Sequence, residues 1–205
     1  DAAAQRGEGA GRVAPHVLRT PTRPSPGLTV HLGVPVTLKL EQLQRSGSFK
    51  ARGAFAKILS LDAAERAAGI VAVSGGNHGI AVADAAGALG VAATVVMPES
   101  APARSVALAR AAGATVIVGD ATKESVLRQA KIDTAATLLI AIPEGVEAGA
   151  IVRRARAINP QLVIVARAHS DEEVGDLVRR GADHVVMAER ETATRMAERA
   201  MLART

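Results

Sequence analysis

The 205-residue sequence has no cysteine, tryptophan or tyrosine and only two phenylalanines, Phe49 and Phe55. Without cysteine it can form neither disulfides nor thiolate metal sites, which fits a reducing compartment and predicts a cytoplasmic protein. With so few aromatic side chains it is poorly equipped to stack nucleobases, so single-stranded nucleic-acid binding is disfavoured. The core must therefore be aliphatic, and a hydrophobic content of 48% predicts that it is well filled.

Long apolar runs and compact blocks of one charge are missing as well. No apolar stretch reaches the ~18 residues that a membrane-spanning helix needs, and the first residues show no signal-peptide pattern. The net charge of +5 comes from arginines scattered among acidic residues, which favours a solvated surface over a nucleic-acid partner. The histidines are dispersed without metal-ligand spacing, and we expect no metal.

The N-terminal third has little regularity. Residues 1–12 are polar and glycine-rich without a period, and we expect them to be disordered. Residues 13–68 form a separate segment with short strands predicted at 29–32 and 36–40. A helix is predicted over residues 49–59, with Ser48 as its N-cap.

From Gly69 onward, six apolar segments alternate with helical patterns. Strands that alternate with helices form a parallel, doubly wound sheet, so residues 69–205 are predicted to be an α/β, Rossmann-like domain with six mostly parallel strands. Its last helix is predicted over residues 191–203. Right-handed crossovers place the carboxyl ends of the strands along one edge, where ligands bind.

Two short motifs carry the chemistry. Residues 46–54 read Ser-Gly-Ser-Phe-Lys-Ala-Arg-Gly-Ala and place Lys50 at a helix start, where burial would lower its pKa and free its lone pair to form an imine with an aldehyde. The second motif is a glycine-rich elbow whose backbone N–H groups can bind an anion. Asn77 and His78 can equally cap the following helix. The elbow consists of Ser74, Gly75, Gly76, Asn77, His78 and Gly79.

Together with Lys-Leu-Glu at 39–41, Met-Pro-Glu-Ser-Ala-Pro at 97–102 and Gly-Ala-Thr-Val at 113–116, these motifs resemble the fold-type II pyridoxal-phosphate (PLP) enzymes, particularly the serine/threonine dehydratases. The resemblance covers about half of the chain. It implies that Lys50 holds the cofactor as an imine, that Asn77 contacts its ring hydroxyl and that the elbow binds a substrate carboxylate. It also implies β-elimination on a hydroxy amino acid. Gly75 stands where racemases of the family have a serine, which favours a dehydratase.

From Asp120 onward the chain resembles the second half of an RCK/TrkA-N nucleotide-binding domain, as attached to Kef-type potassium/proton antiporters. The matching pieces include Gly-Asp-Ala-Thr at 119–122, Ala-Arg-Ala-Ile-Asn-Pro at 155–160 and Gly-Ala-Asp-His-Val-Val at 181–186. This resemblance implies NAD(H) or AMP binding, with Asp120 as a contact, and a homodimer. Read as a dinucleotide fold, the elbow is a degenerate G-x-G-x-x-G. Glu99 follows about 20 residues later, where an acidic residue would bind a ribose hydroxyl.

The seam between the two patterns falls near residues 118–122, after a predicted strand, so the alternation of strands and helices continues across it. Three interpretations stay open: a PLP-dependent lyase-like protein, active or inactive through truncation and fusion; a regulatory module that binds NAD or AMP; and a chimera without function. The sequence has no second glycine cluster to bind the cofactor phosphate. Lys50 can act only if its segment is packed against the elbow.

Overall fold

The computed structural model describes residues 11–187, together with Arg190 and Thr194. Residues 11 and 12 are helical, so the disorder predicted for residues 1–12 does not extend to them. Residues 1–10 lie outside the described ranges, as does the helix predicted over 191–203 apart from Thr194, which is helical. Besides short 3₁₀ turns, the longer elements of the N-terminal segment are an antiparallel ribbon and three α-helices. These are β1 (Thr22–Pro24), α1 (Pro26–Leu32), β2 (Thr37–Lys39), α2 (Lys50–Ser60) and α3 (Ala63–Ala68).

The rest of the described chain forms a doubly wound parallel sheet, as the sequence predicts. The strand order is β5-β4-β3-β6-β7-β8, and every neighbouring pair is parallel. Successive strands are added to one side of the sheet up to β5 and to the other side from β6 onward, so the direction of winding reverses between β3 and β6. In α/β sheets ligands bind at the carboxyl ends of the strands beside such a reversal. The elements are β3 (Ile70–Val73), α4 (Asn77–Leu89), β4 (Ala93–Met97), α5 (Ala103–Ala111), β5 (Thr115–Val118), α6 (Glu124–Gln129), β6 (Thr137–Ile140), α7 (Gly145–Ile158), β7 (Val163–Ala168), α8 (Asp171–Arg179) and β8 (His184–Met187).

Helices cover both faces of the central strands, which explains their composition. Every residue of β3 and β6 is buried, as expected for parallel strands packed on two sides. On one face Leu127 of α6 and Ile151 of α7 pack in the same cluster as Leu138 of β6. On the other face α2 and α4 pack against β3, with Phe55 at the centre of the cluster.

The N-terminal segment is anchored on α4 by one aromatic side chain and one ion pair. Phe55 is fully buried, and its ring stacks on His16 with a centroid distance of 5.3 Å. The guanidinium of Arg45 lies 4.8 Å from the centre of the Phe55 ring. Arg45 also donates two hydrogen bonds, of 2.7 and 2.9 Å, to the carboxylate of Asp84 in α4. The turn before Lys50 is thereby tied to the helix that follows the elbow.

The strand predicted at residues 29–32 is wrong, because these residues end helix α1. Pro26 occupies the first helical turn, where its fixed φ suits a helix, and Gly33 ends the helix with a φ of 69°. A four-residue apolar pattern is too short to distinguish a strand from a helix. The flanking proline and glycine were the informative signal.

The predicted cap of α2 is also wrong. Phe49, not Ser48, is the N-cap residue of α2, and no side chain caps this helix end. The hydroxyl of Ser48 is buried without a hydrogen-bond partner among the described residues. The helix begins one residue later than predicted, and Lys50 is its first residue.

Candidate functional site

A cleft of about 530 Å³ opens at the reversal point of the sheet. The elbow between β3 and α4, the loop after β4, the loop after β6, the start of α2 and strand β7 all contribute to its lining. Lys50 and the elbow residues Ser74 to His78 therefore face one space. This is the arrangement that the sequence requires for chemistry at Lys50.

The elbow presents the amino end of α4 to the cleft. The N-cap residue is Gly76, and no side chain caps this end, so the capping predicted for Asn77 and His78 is wrong. The first N–H groups of a helix have no acceptor inside the helix. They carry partial positive charge from the helix dipole and can bind an anion. Asn77 is exposed beside them.

Two elbow glycines are closely packed by their neighbours. A Cβ on Gly79 would lie 2.6 Å from the carbonyl oxygen of Ser74 and 3.0 Å from Cγ1 of Val95, so any side chain would push α4 away from the sheet. A Cβ on Gly75 would lie 3.1 Å from Cδ of Pro98 and 3.3 Å from Cβ of Ala101. A serine at position 75, as in the racemases that the family resemblance invokes, would require the loop after β4 to shift.

Three basic side chains meet at one end of the cleft. Lys50 is half-buried, and burial, followed by the charge of Arg167, lowers the pKa of its ammonium. Its Nζ lies 5.0 Å from the centre of the Phe49 ring. Burial, followed by the charges of Lys50 and Arg167, lowers the pKa of His78 to about 4. The imidazole is therefore neutral at neutral pH, beside two cations.

The other end of the cleft is acidic. Glu144 is the N-cap residue of α7 and Glu147 lies in its first turn. Burial, followed by the charges of Glu144 and Asp120, raises the pKa of Glu147. Sequence reasoning missed both Glu147 and Arg167. The signal available for Arg167 was a charged residue inside the otherwise apolar run Val-Ile-Val-Ala-Arg-Ala.

The two acidic residues predicted to contact a nucleotide stand outside this lining. Glu99 and Asp120 are exposed, and neither is among the residues that line the cleft. The carboxylate of Asp120 accepts hydrogen bonds of 2.8 Å from the Thr122 N–H and 2.6 Å from its hydroxyl. These bonds hold the pKa of Asp120 below its ordinary value. Its contact with a nucleotide stays a prediction, as does that of Glu99.

None of the helices within residues 11–187 has the length and hydropathy needed to cross a membrane. Across these residues, Arg190 and Thr194, no three His, Asp or Glu side chains gather closely enough to hold a metal ion.

Comparison with known proteins defines the class. The sequence pattern of the pyridoxal-phosphate dependent enzymes matches residues 13–145, and the chain belongs to this family. A putative threonine dehydratase from Sinorhizobium fredii is 47% identical over 115 residues, which are 56% of this chain and 35% of that protein. The chain thus spans about a third of the length of that relative.

Solved structures add a second likeness. The TrkA-N domain of the Escherichia coli inner membrane protein YbaL superposes with a TM-score of 0.58 at 36% identity, over 64% of this chain and 96% of that domain. Maize serine racemase superposes with a TM-score of 0.56 at 25% identity, over 89% of this chain and 75% of the racemase. Both resemblances read from the sequence are confirmed.

The residues of the cleft fit PLP, the cofactor of this family. Lys50 supplies an amine of lowered pKa for the aldehyde. Nε2 of His78 and Nε of Arg167 are buried without hydrogen-bond partners among the described residues, as expected where a polar ligand completes the site. The amino end of α7 suits the phosphate poorly, since Glu144 and Glu147 would repel it.

Proposed function

We propose that the chain binds PLP at Lys50 and acts as a lyase of the serine/threonine dehydratase type. Its substrate would be a hydroxy amino acid that loses its β-hydroxyl and, after hydrolysis, yields a keto acid and ammonia. The observation that carries the proposal is that Lys50, from the N-terminal segment, lines the same cleft as the elbow.

The side chains suit the steps that the protein must perform. PLP, when bound, supplies an electron sink for negative charge on the substrate Cα. The lowered pKa of Lys50 raises the fraction of uncharged amine, so Lys50 would hold the cofactor aldehyde and, once the substrate amine has displaced it, could accept the Cα proton. The open N–H groups at the start of α4 would hold the substrate carboxylate. Neutral His78 adds no positive charge to the already cationic end of the cleft.

Trapping the cofactor tests this proposal. The full chain is titrated with PLP, reduced with borohydride and digested, and the modified lysine is identified by mass spectrometry. We expect an imine absorbance band and reduction at Lys50, both lost in Lys50→Ala. Lys57→Ala is the control, since Lys57 is on the same helix but does not line the cleft. If PLP gives no band that borohydride can trap at Lys50, the proposal is refuted.

A nucleotide-binding module is the second candidate, favoured by the strand order and by the likeness to a TrkA-N domain. In this reading the elbow binds a phosphate of NAD(H) or AMP at the amino end of α4. Calorimetry with both nucleotides tests it, with Glu99→Ala expected to weaken binding. No heat with either nucleotide would exclude this candidate, and a folded chain silent in both assays would support a chimera without function.

We further propose the division into residues 13–68 and 69–205, the seam near residues 118–122, and a homodimer. The amino-acid or nucleotide ligand and the cytoplasmic location also remain proposals. The seam is supported by the similarity of one chain to two different classes of protein, the PLP-dependent enzymes and a TrkA-N domain. Sedimentation of the full chain would test the homodimer, and a monomer at micromolar concentration would contradict it.

A further inference from the structure

Arg167 is a partly buried charged residue with one hydrogen-bond donor that is unsatisfied within the described part of the chain. It lies on β7, with the buried residues Ala166 and Ala168 on either side. Its Nε is buried and has no hydrogen-bond partner among the described residues. A buried N–H donor of a charged group costs free energy unless an acceptor satisfies it. The side chain lines the cleft close enough to Lys50 to affect its titration.

In the proposed function the amino end of α4 holds the substrate carboxylate, so the cleft offers few other places for a phosphate. The sequence has no second glycine cluster, and the amino end of α7 carries the carboxylates of Glu144 and Glu147. Lys50 and Arg167 are the two Lys or Arg side chains among the described residues that line the cleft. Since Lys50 is engaged with the aldehyde in the proposed function, Arg167 is left to meet the phosphate.

We propose that Arg167 binds the phosphate monoester of the cofactor and replaces the glycine loop that the sequence lacks. This inference rests on the proposed function at Lys50. A guanidinium pairs with phosphate oxygens through two parallel hydrogen bonds and keeps its charge when buried. Arg167 lies outside the family match over residues 13–145. The second part of the chain would therefore supply an anchor that the first part does not contain.

Comparing PLP with pyridoxal, which has no phosphate, isolates this contact. The full chain is titrated with each aldehyde, and imine absorbance gives the two dissociation constants. We expect the wild-type chain to prefer PLP by roughly 10- to 100-fold, the range for a charged hydrogen-bonded contact. Arg167→Met should abolish most of this preference, and Arg167→Lys should retain part of it. Arg153→Met is the control, since Arg153 is exposed on α7 and does not line the cleft.

The outcomes separate the inference from the proposed function. An unchanged preference in a folded Arg167→Met chain overturns the inference while leaving Lys50 in place. If Arg167→Met does not fold, an undiminished preference in Arg167→Lys overturns it instead. If neither aldehyde forms an imine, the proposed function fails. Binding of inorganic phosphate then tests separately whether Arg167 is a phosphate-binding residue. Phosphate should then raise the melting temperature of the wild-type chain and not of the Arg167 variants; an equal shift, or none, overturns the inference.

Discussion

The two phenylalanines provide a matched test of how the N-terminal segment is held. Phe55 is fully buried, whereas Phe49 is 59% exposed. Replacing a buried phenylalanine with alanine costs about 3–5 kcal/mol through lost burial and a residual cavity. An exposed side chain away from such packing changes stability by about 0.5 kcal/mol. We therefore expect Phe55→Ala to lower the free energy of unfolding by about 3–5 kcal/mol and Phe49→Ala by less than about 1 kcal/mol.

The loss at Phe55 should reach the site. A domain of this size has about 5–15 kcal/mol of stability in total, so Phe55→Ala removes a large share of it. The loss is local to the contact between α2 and α4, which positions Lys50 against the elbow. We expect weaker imine formation with PLP than in the wild-type chain, even under conditions where the sheet remains folded.

Urea unfolding followed by circular dichroism measures the first effect, and PLP absorbance at low urea measures the second. The reasoning is refuted if both alanine variants lose the same stability. It is also refuted if Phe55→Ala leaves the unfolding midpoint unchanged, because Phe55 would then not be packed beneath His16 and Arg45 as described.

Two further predictions concern the elbow and its histidine. Gly79→Ala places a methyl group 2.6 Å from the Ser74 carbonyl oxygen and should cost about 1–3 kcal/mol by overpacking. A Cβ at Gly53 would have nothing within 4 Å, so Gly53→Ala should raise the free energy of unfolding by about 0.5–1 kcal/mol, because alanine is favoured over glycine inside a helix. Parallel urea titrations in which both variants change the stability in the same direction would contradict this prediction. The pKa of His78 falls from 6.5 in the unfolded chain to about 4 in the folded chain. The contribution of neutral His78 to the free energy of unfolding is therefore complete above pH 6.5 and is lost as the pH falls towards 4. That stabilisation is on the order of 3 kcal/mol. We therefore expect the difference in unfolding free energy between the wild-type chain and His78→Gln to shrink as the pH falls from 6.5 towards 4. A difference that stays constant over this pH range would show that His78 does not titrate as described.

Much of the architecture was predictable because it depends on local pattern. The apolar runs at β3 and β6 alternate with helical periods, and this alternation leads to a parallel doubly wound sheet. Short elements were less predictable. Helix α1 was mistaken for a strand, and α3 was missed although Asp62 and Glu65 form a capping box at its start.

By itself the sequence determined the sheet class, the position of Lys50 at a helix start and the glycine-rich elbow between a strand and a helix, because each is encoded within a few neighbouring residues. Only the tertiary structure decided which distant groups share the cleft. Strand order brings β7, with Arg167, beside β6 and within reach of Lys50, while Glu99 remains outside the lining. No local period encodes such long-range pairing, since it depends on how the whole sheet is wound and on which helices cover its faces.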